Sequence, residues 1–312
     1  MNVLITGSSG QIGTNLALAL LERGDRVLGI DVRENSWTRR IETVCLDLVR
    51  AAPADLPPDR PFDMVVHLAA NAKVFALVEN PQGAMDNITM LFNVLEFCRT
   101  RRLPLVFSSS REVYGDIHRH VTHEAAADFV VAESPYSASK IAGEALIYSY
   151  AQCYDLPFLV FRYSNVYGRY DNDLARLERV IPLFIERIAR EEPIVVYGKE
   201  KMLDFTYVDD CVAGTVAGID ALVQGRVVGQ TINLAQGQGN SLVDVVNIAA
   251  LALGKTPAVS YEPSRPGEVT RYVADIGKAR SLLGYEPHTP LTGGLVKAIE
   301  WSRNFRPQDV VQ

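Results

Sequence analysis

Val3-Leu4-Ile5-Thr6-Gly7-Ser8-Ser9-Gly10-Gln11-Ile12-Gly13 is the stretch that decides the fold. Residues 3–6 are a short apolar run, which predicts a buried strand. Residues 11–23 follow with Ile12, Leu16, Ala19 and Leu20 at helical spacing, which predicts a helix with one apolar face. Between the two, the glycines fall as GxxGxxG. A tight turn needs residues without a Cβ. A diphosphate must approach such a backbone closely, where the helix N-terminus offers free N–H groups and a positive dipole end. Asp31 closes the next apolar run about 18 residues after Gly13, where a dinucleotide site wants a carboxylate for the adenosine ribose. That carboxylate repels a 2′-phosphate, so NAD is expected over NADP; Arg33 nearby pulls slightly the other way.

Outward from this turn, strands are expected at residues 26–30, 43–46, 63–67, 105–108 and 158–161. Long helices are expected at 81–101 and 135–154. Continuous apolar strands between helices predict an α/β fold, a doubly wound parallel sheet of the Rossmann type. After Arg162 the rhythm changes and Pro and Gly become frequent. A helix is expected at 175–191, strands at 194–197 and 231–234, and a helix at 241–253. The organisation read from this is an NAD-binding domain over 1–164, with a returning segment at about 205–235. A smaller α/β substrate lobe takes 165–204 and 236–312.

The chain has 312 residues, and 31 Lys plus Arg against 37 Asp plus Glu give a net charge of −6. With 48 % hydrophobic residues it has globular composition, which excludes wholesale disorder. Mild acidity argues against a nucleic-acid partner. No run reaches the ~18 apolar residues of a spanning helix, and the N-terminus has no basic leader region, so a cytoplasmic protein without a membrane partner is expected. Cys45, Cys98, Cys153 and Cys211 are far apart and form no CxxC pair. They read as reduced, mostly core thiols, and neither zinc nor a disulfide framework is expected. His118, His120 and His123 fit no single helix face, and no metal is expected there.

Ser134-Pro135-Tyr136-Ser137-Ala138-Ser139-Lys140 opens the second long helix. Tyr136 and Lys140, four apart, share a helix face. A phenol is a weak base at its usual pKa near ~10. A neighbouring ammonium favours the phenolate, so Lys140 is expected to lower the Tyr136 pKa and let Tyr136 exchange a proton with a substrate hydroxyl.

The glycine turn, Asp31, His67-Leu68-Ala69-Ala70, Ser108-Ser109-Ser110 and the Tyr136/Lys140 pair stand in the order seen in extended short-chain dehydrogenases/reductases. Over nearly its whole length the chain resembles the NAD-dependent nucleotide-sugar epimerase/dehydratase branch of that family. The resemblance implies that Gly7, Gly10, Gln11, Ile12, Gly13, Asp31, Asp47, Leu48, Leu68, Ala69, Ala70, Asn87, Tyr136 and Lys140 bind NAD. Asp47-Leu48 matches the adenine contact and Asn87 the helix asparagine of the family. Tyr136, Lys140 and Ser110 become the catalytic residues, with Glu112 added as a candidate. Ser110, Asn165, Val180, Arg265 and Glu268 become contacts to a nucleotide sugar. An arginine suits this task because its guanidinium forks onto phosphate oxygens. The family's contact between its two long helices implies a homodimer, built here from helices with apolar residues beyond one stripe, Phe92 and Tyr148 among them.

Two departures bear on the reaction. Leu203 stands where the family often has a phosphate-clamping Arg, leaving Lys199 and Lys201 as candidate replacements. Arg111 stands where dehydratases carry an acid, and a guanidinium does not deprotonate in proteins. The resemblance therefore implies first a 4-epimerase acting on a UDP-hexose or UDP-hexuronate through a transient 4-keto sugar. Glu112 keeps open a decarboxylase or dehydratase, and loss of catalysis would leave an NAD-sensing regulator.

Overall fold

The computed structural model describes residues 1–57, 59–114, 132–174 and 179–305. It begins with β1 (Asn2–Thr6), α1 (Gln11–Glu22), β2 (Arg26–Asp31), β3 (Glu42–Cys45) and β4 (Met64–His67). There follow α2 (Val74–Glu79), α3 (Gln82–Arg101), β5 (Leu105–Ser110), α4 (Pro135–Tyr154) and β6 (Phe158–Tyr163). Next come β7 (Asn165–Tyr167), α5 (Val180–Ala189), β8 (Ile194–Tyr197), β9 (Met202–Tyr207), α6 (Val208–Val223) and β10 (Gln230–Leu234). The chain continues through β11 (Gly239–Ser241), α7 (Leu242–Leu253), β12 (Val259–Glu262), α8 (Gly277–Leu283) and α9 (Leu291–Asn304).

Along β1, Val3 and Ile5 pack into one hydrophobic cluster and Leu4 into another, because successive strand side chains point to opposite faces. A strand apolar on both faces needs cover on both. The sheet supplies it as a seven-stranded array in the order β10-β6-β5-β4-β1-β2-β3, with every pair parallel. Leu91, Val94 and Leu95 of α3 and Ile147 of α4 close one face. Leu16 and Leu20 of α1 with Cys211 and Ile219 of α6 close the other. Strand order reverses between β1 and β4, so a crevice opens beyond their carboxyl ends. Two small sheets, β11-β9-β7 and β12-β8, lie outside the main one.

Local signals explain the helix that carries the reactive pair. Ser134 caps α4 by accepting the Ser137 N–H, Ser137 returns a hydrogen bond to the Ser134 backbone, and Pro135 takes the first turn. The helix expected from 175 begins at Val180 in the described residues, with 175–178 outside them. The strand expected at 105–108 runs on to Ser110, because Ser109 and Ser110 pair with Arg162 and Tyr163. β9 and α6 were not anticipated. The cysteine expectation is corrected in part: Cys98 and Cys211 are buried, but Cys45 and Cys153 are exposed, and none is bridged. His118, His120 and His123 lie outside the described residues, and among those described no cluster of metal-ligating side chains occurs. No helix among the described residues is long and apolar enough to cross a membrane.

Candidate active site

The crevice beyond β1 and β4 is a cleft of about 960 Å³. One half is built on the glycine turn. Gly7 has φ +74°, and a Cβ there would lie 2.7 Å from the Ala69 N. A Cβ on Gly13 would lie 2.1 Å from the Gly7 carbonyl oxygen. The turn therefore exists only as bare backbone, and it delivers Gly10, Gln11 and Ile12 at the N-terminus of α1 to the cleft. Asp31, at the end of β2, accepts the Ser9 N–H through Oδ2 at 3.0 Å. The Arg33 Nε stands 3.9 Å from Asp31 Oδ1, and its guanidinium donates to the Ser9 carbonyl. Asp47, Leu48, Leu68, Ala69 and Ala70 complete this wall. A cradle that a Cβ would fill, a helix N-terminus and a strand-end carboxylate fit a dinucleotide.

Asn87 does not line the cleft. Its Oδ1 accepts the Asn71 N–H at 2.7 Å, and its Nδ2 donates to the Asn71 carbonyl and to Ser139 Oγ, both at 3.2 Å. It is a buried brace behind the loop that follows β4, and Asn71 is the residue on the cleft side.

The other half gathers Ser110 from the end of β5 with Tyr136 and Lys140 from the first turns of α4. Ser110 Oγ accepts the Glu112 N–H at 3.2 Å. Burial raises the Tyr136 phenol to about 12, while the nearby Ser110 hydroxyl lowers it. Glu112 pushes it further up, and Arg111 and Arg179 pull it down. The Lys140 Nζ donates to the Ser108 carbonyl at 2.7 Å and lies 5.7 Å from the centre of the Tyr136 ring. Burial brings this ammonium down to about 8, with Glu144 opposing. Arg111 and Arg179 are cations that favour the phenolate here. Behind the site, Glu144 accepts two hydrogen bonds from Arg162 and one from Ser109, a buried network that fixes α4 against β5 and β6.

Beside Ser110, Arg111 Nη2 and Glu112 Oε1 form an ion pair of 2.9 Å with both side chains nearly enclosed. Burial raises the Glu112 carboxyl above the usual range, and Arg111 opposes that. Among the described residues, Glu112 Oε2 and Arg111 Nη1 are buried without a hydrogen-bond partner. The second lobe brings Asn165, Val180, Arg265 and Glu268 to the cleft. Asn165 donates to the Asp204 carbonyl, and the Arg265 guanidinium stacks 4.0 Å over the Tyr197 ring. Leu203 lines the cleft as an apolar wall, and Lys201, paired with Glu268, lines it too, while Lys199 does not. Sequence reasoning missed Arg179, the residue before α5. Its Nη1 donates to Gln11 Oε1 at 2.5 Å and its Nε stands 3.3 Å from Asp171, so it spans the cleft. Its place immediately before Val180 was the available signal.

A model of the NAD dependent epimerase/dehydratase family matches residues 3–235. The UDP-glucuronate 4-epimerase of Thermodesulfobacterium geofontis is 31 % identical over 96 % of this chain and 95 % of its own length. Among solved structures, the UDP-glucose 4-epimerase of Thermotoga maritima with UDP-glucose superposes with a TM-score of 0.88 at 27 % identity, covering 97 % of this chain and 99 % of that one. The UDP-glucuronic acid 4-epimerase of Bacillus cereus, in complex with UDP-glucuronic acid and NAD, gives 0.87 at 28 % identity with the same coverage.

Proposed function

The chain belongs to the NAD dependent epimerase/dehydratase family, and from that premise we propose that it is an NAD-dependent 4-epimerase of a UDP-hexose or UDP-hexuronate, working through a transient 4-keto sugar. The observation that carries the proposal is that Ser110, Tyr136 and Lys140 line the same cleft as the bare glycine turn and Arg265. The activities named for its relatives support it.

NAD, held by the glycine turn, Asp31, Asp47, Leu48 and the residues 68–70, supplies the hydride acceptor and donor. Ser110 and Tyr136 hold the sugar C4 hydroxyl, and the Tyr136 oxygen takes its proton and later returns it. Arg111 and Arg179 favour the phenolate that this transfer needs. Lys140, anchored on the Ser108 carbonyl, holds the cofactor side of the same pocket. Arg265 and Asn165 orient the diphosphate, and Val180 and Glu268 the nucleoside. Glu112 is the one residue favouring a decarboxylase or dehydratase, and its ion pair with Arg111 gives it a structural use instead.

The test is to incubate the purified protein, without added cofactor, with UDP-hexoses and UDP-hexuronates and to read products by NMR and mass spectrometry. A new sugar of unchanged mass is expected. Loss of carbon dioxide or water would replace this reading with the Glu112 chemistry, and no turnover would overturn both. A homodimer through α3 and α4 belongs to the same proposal, supported by exposed Met85 and Phe92 on α3 and Ala145 on α4. So does a cytoplasmic setting, supported by four unbridged thiols.

A further inference from the structure

We infer that Lys201 is a substrate-binding residue that takes an anionic oxygen of the nucleotide sugar, with Glu268 as its counter-ion until substrate arrives. The inference rests on the reading of the cleft as a nucleotide-sugar site.

Lys201 is buried yet lines the cleft. A buried ammonium is costly unless its charge and its donors are used. An ammonium has three donors, and among the described residues Lys201 has one acceptor, Glu268 Oε2 at 2.5 Å. Two donors remain for something in the cleft. Glu268 retains 27 % side-chain exposure against 6 % for Lys201, so the acid is the partner free to swing away. The Glu268 N–H donates to the Arg265 carbonyl at 3.3 Å and closes a turn, and Lys201, Glu268 and Arg265 all line the cleft.

The path of the Lys201 stem is built into the chain. Gly198 has φ +81°, and a Cβ there would lie 2.8, 2.9 and 3.0 Å from Cε, Cγ and Cδ of Lys201. The four-carbon stem is thus laid across bare backbone to reach the cleft. Lys201 immediately precedes β9, and both it and the apolar Leu203 of that strand line the cleft. Lys199, by contrast, lies 4.9 Å over the exposed Tyr261 ring. Lys201 also acts on Glu112, opposing the rise that burial gives its carboxyl. An anionic oxygen reaching this point comes either from the diphosphate or from the carboxylate of a hexuronate.

Calorimetric titration of the NAD-loaded protein with UDP, UDP-glucose and UDP-glucuronate distinguishes these sources. Lys201→Met is expected to weaken binding roughly 10- to 100-fold, the scale of one lost charge-assisted contact, and Lys201→Arg to restore it to within a few fold. Equal losses for all three ligands identify the diphosphate as the source. A loss confined to UDP-glucuronate identifies the carboxylate. A charge contact also flattens the salt dependence of binding in Lys201→Met, which a purely structural bridge would not do. Unchanged affinities in a Lys201→Met protein that keeps its NAD and its melting temperature would overturn the inference alone. Failure of the wild-type protein to bind any of the three would overturn it together with the nucleotide-sugar reading.

Discussion

Tyr136 and Lys140 show how burial sets the chemistry of single residues. A phenol raised to about 12 holds its proton at neutral pH and releases it only to a site that favours the phenolate. Tyr136→Phe keeps the ring and removes the acid–base group. Turnover should fall about 10²- to 10⁴-fold, with NAD content and melting temperature unchanged; full activity would refute the role of Tyr136. Lys140 carries a pH signature. Its ammonium titrates near about 8 when folded, against 10.5 for an ordinary lysine. Between those values the unfolded chain binds a proton that the folded chain does not, so this lysine makes stability rise with pH through the window. Below it both states are charged, and the full cost of burial, about 3 kcal/mol, is present. Denaturant midpoints of Lys140→Met should therefore lose ground against wild type from pH 8 to 10.5. A constant gap would contradict this. That Tyr136 and Lys140 reach the same cleft was legible from their spacing, one helical turn apart. Lys201 and Lys199 could not be told apart in the same way, since their burial depends on the shape of the turn at Gly198 and on the distant Glu268. That Asn87 braces the loop after β4 was not legible either, because a helix position does not say which way a side chain turns.

At the scale of elements, the glycine turn is the part most rigidly specified. A methyl group on Gly13 would overlap the Gly7 carbonyl oxygen, and neither partner is a flexible side chain that can yield. Gly13→Ala should cost about 1–3 kcal/mol and strip the purified protein of NAD, measured as nucleotide released on denaturation. Retention of a full complement would show that the turn opens more easily than its packing allows. Strands with uninterrupted apolar residues, β1 and β4 above all, were legible because nothing but a covered sheet can bury them. The strand expected at 105–108 stops short of Ser109 and Ser110. Serine has little preference for strands, but pairing with β6 overrides it and carries Ser110 into the cleft. α6 was overlooked because Gly214 and Gly218 interrupt its pattern. Both glycines face packed rings: a Cβ at 214 would meet Tyr285, and one at 218 would meet Phe161. They serve close helix packing, which no local propensity records.

The whole molecule brings the glycine turn and the residues of the second lobe together around one cleft, and no sequence pattern gives that approach. Arg179 reaching Gln11, and Arg265 stacked on Tyr197, are long-range contacts that exist only after folding. The parallel sheet was legible from its alternation of strands and helices, but its strand order, with β10 added beside β6, was not. Assembly is the largest-scale expectation. α3 and α4 turn their inner faces to the sheet through Leu91, Leu95 and Ile147. Their outer faces still expose Met85 at 56 % and Phe92 at 46 %, seven residues apart on one side of α3, with Ala145 on α4 offering no bulk against close approach. Seven residues are two helical turns, so Met85 and Phe92 form a stripe that a second copy of the same helix pair could cover. A stable pair needs roughly 1,200–2,000 Å² of buried surface, which two such helices from each copy can supply. A charge at the centre of that stripe would be desolvated on pairing. Light scattering should therefore give twice the chain mass for the wild type and the single chain mass for Phe92→Glu, with NAD content and melting behaviour showing that the variant remains folded. A wild type of single chain mass at micromolar concentration would remove the homodimer from the proposal and leave the exposed stripe to ordinary surface composition.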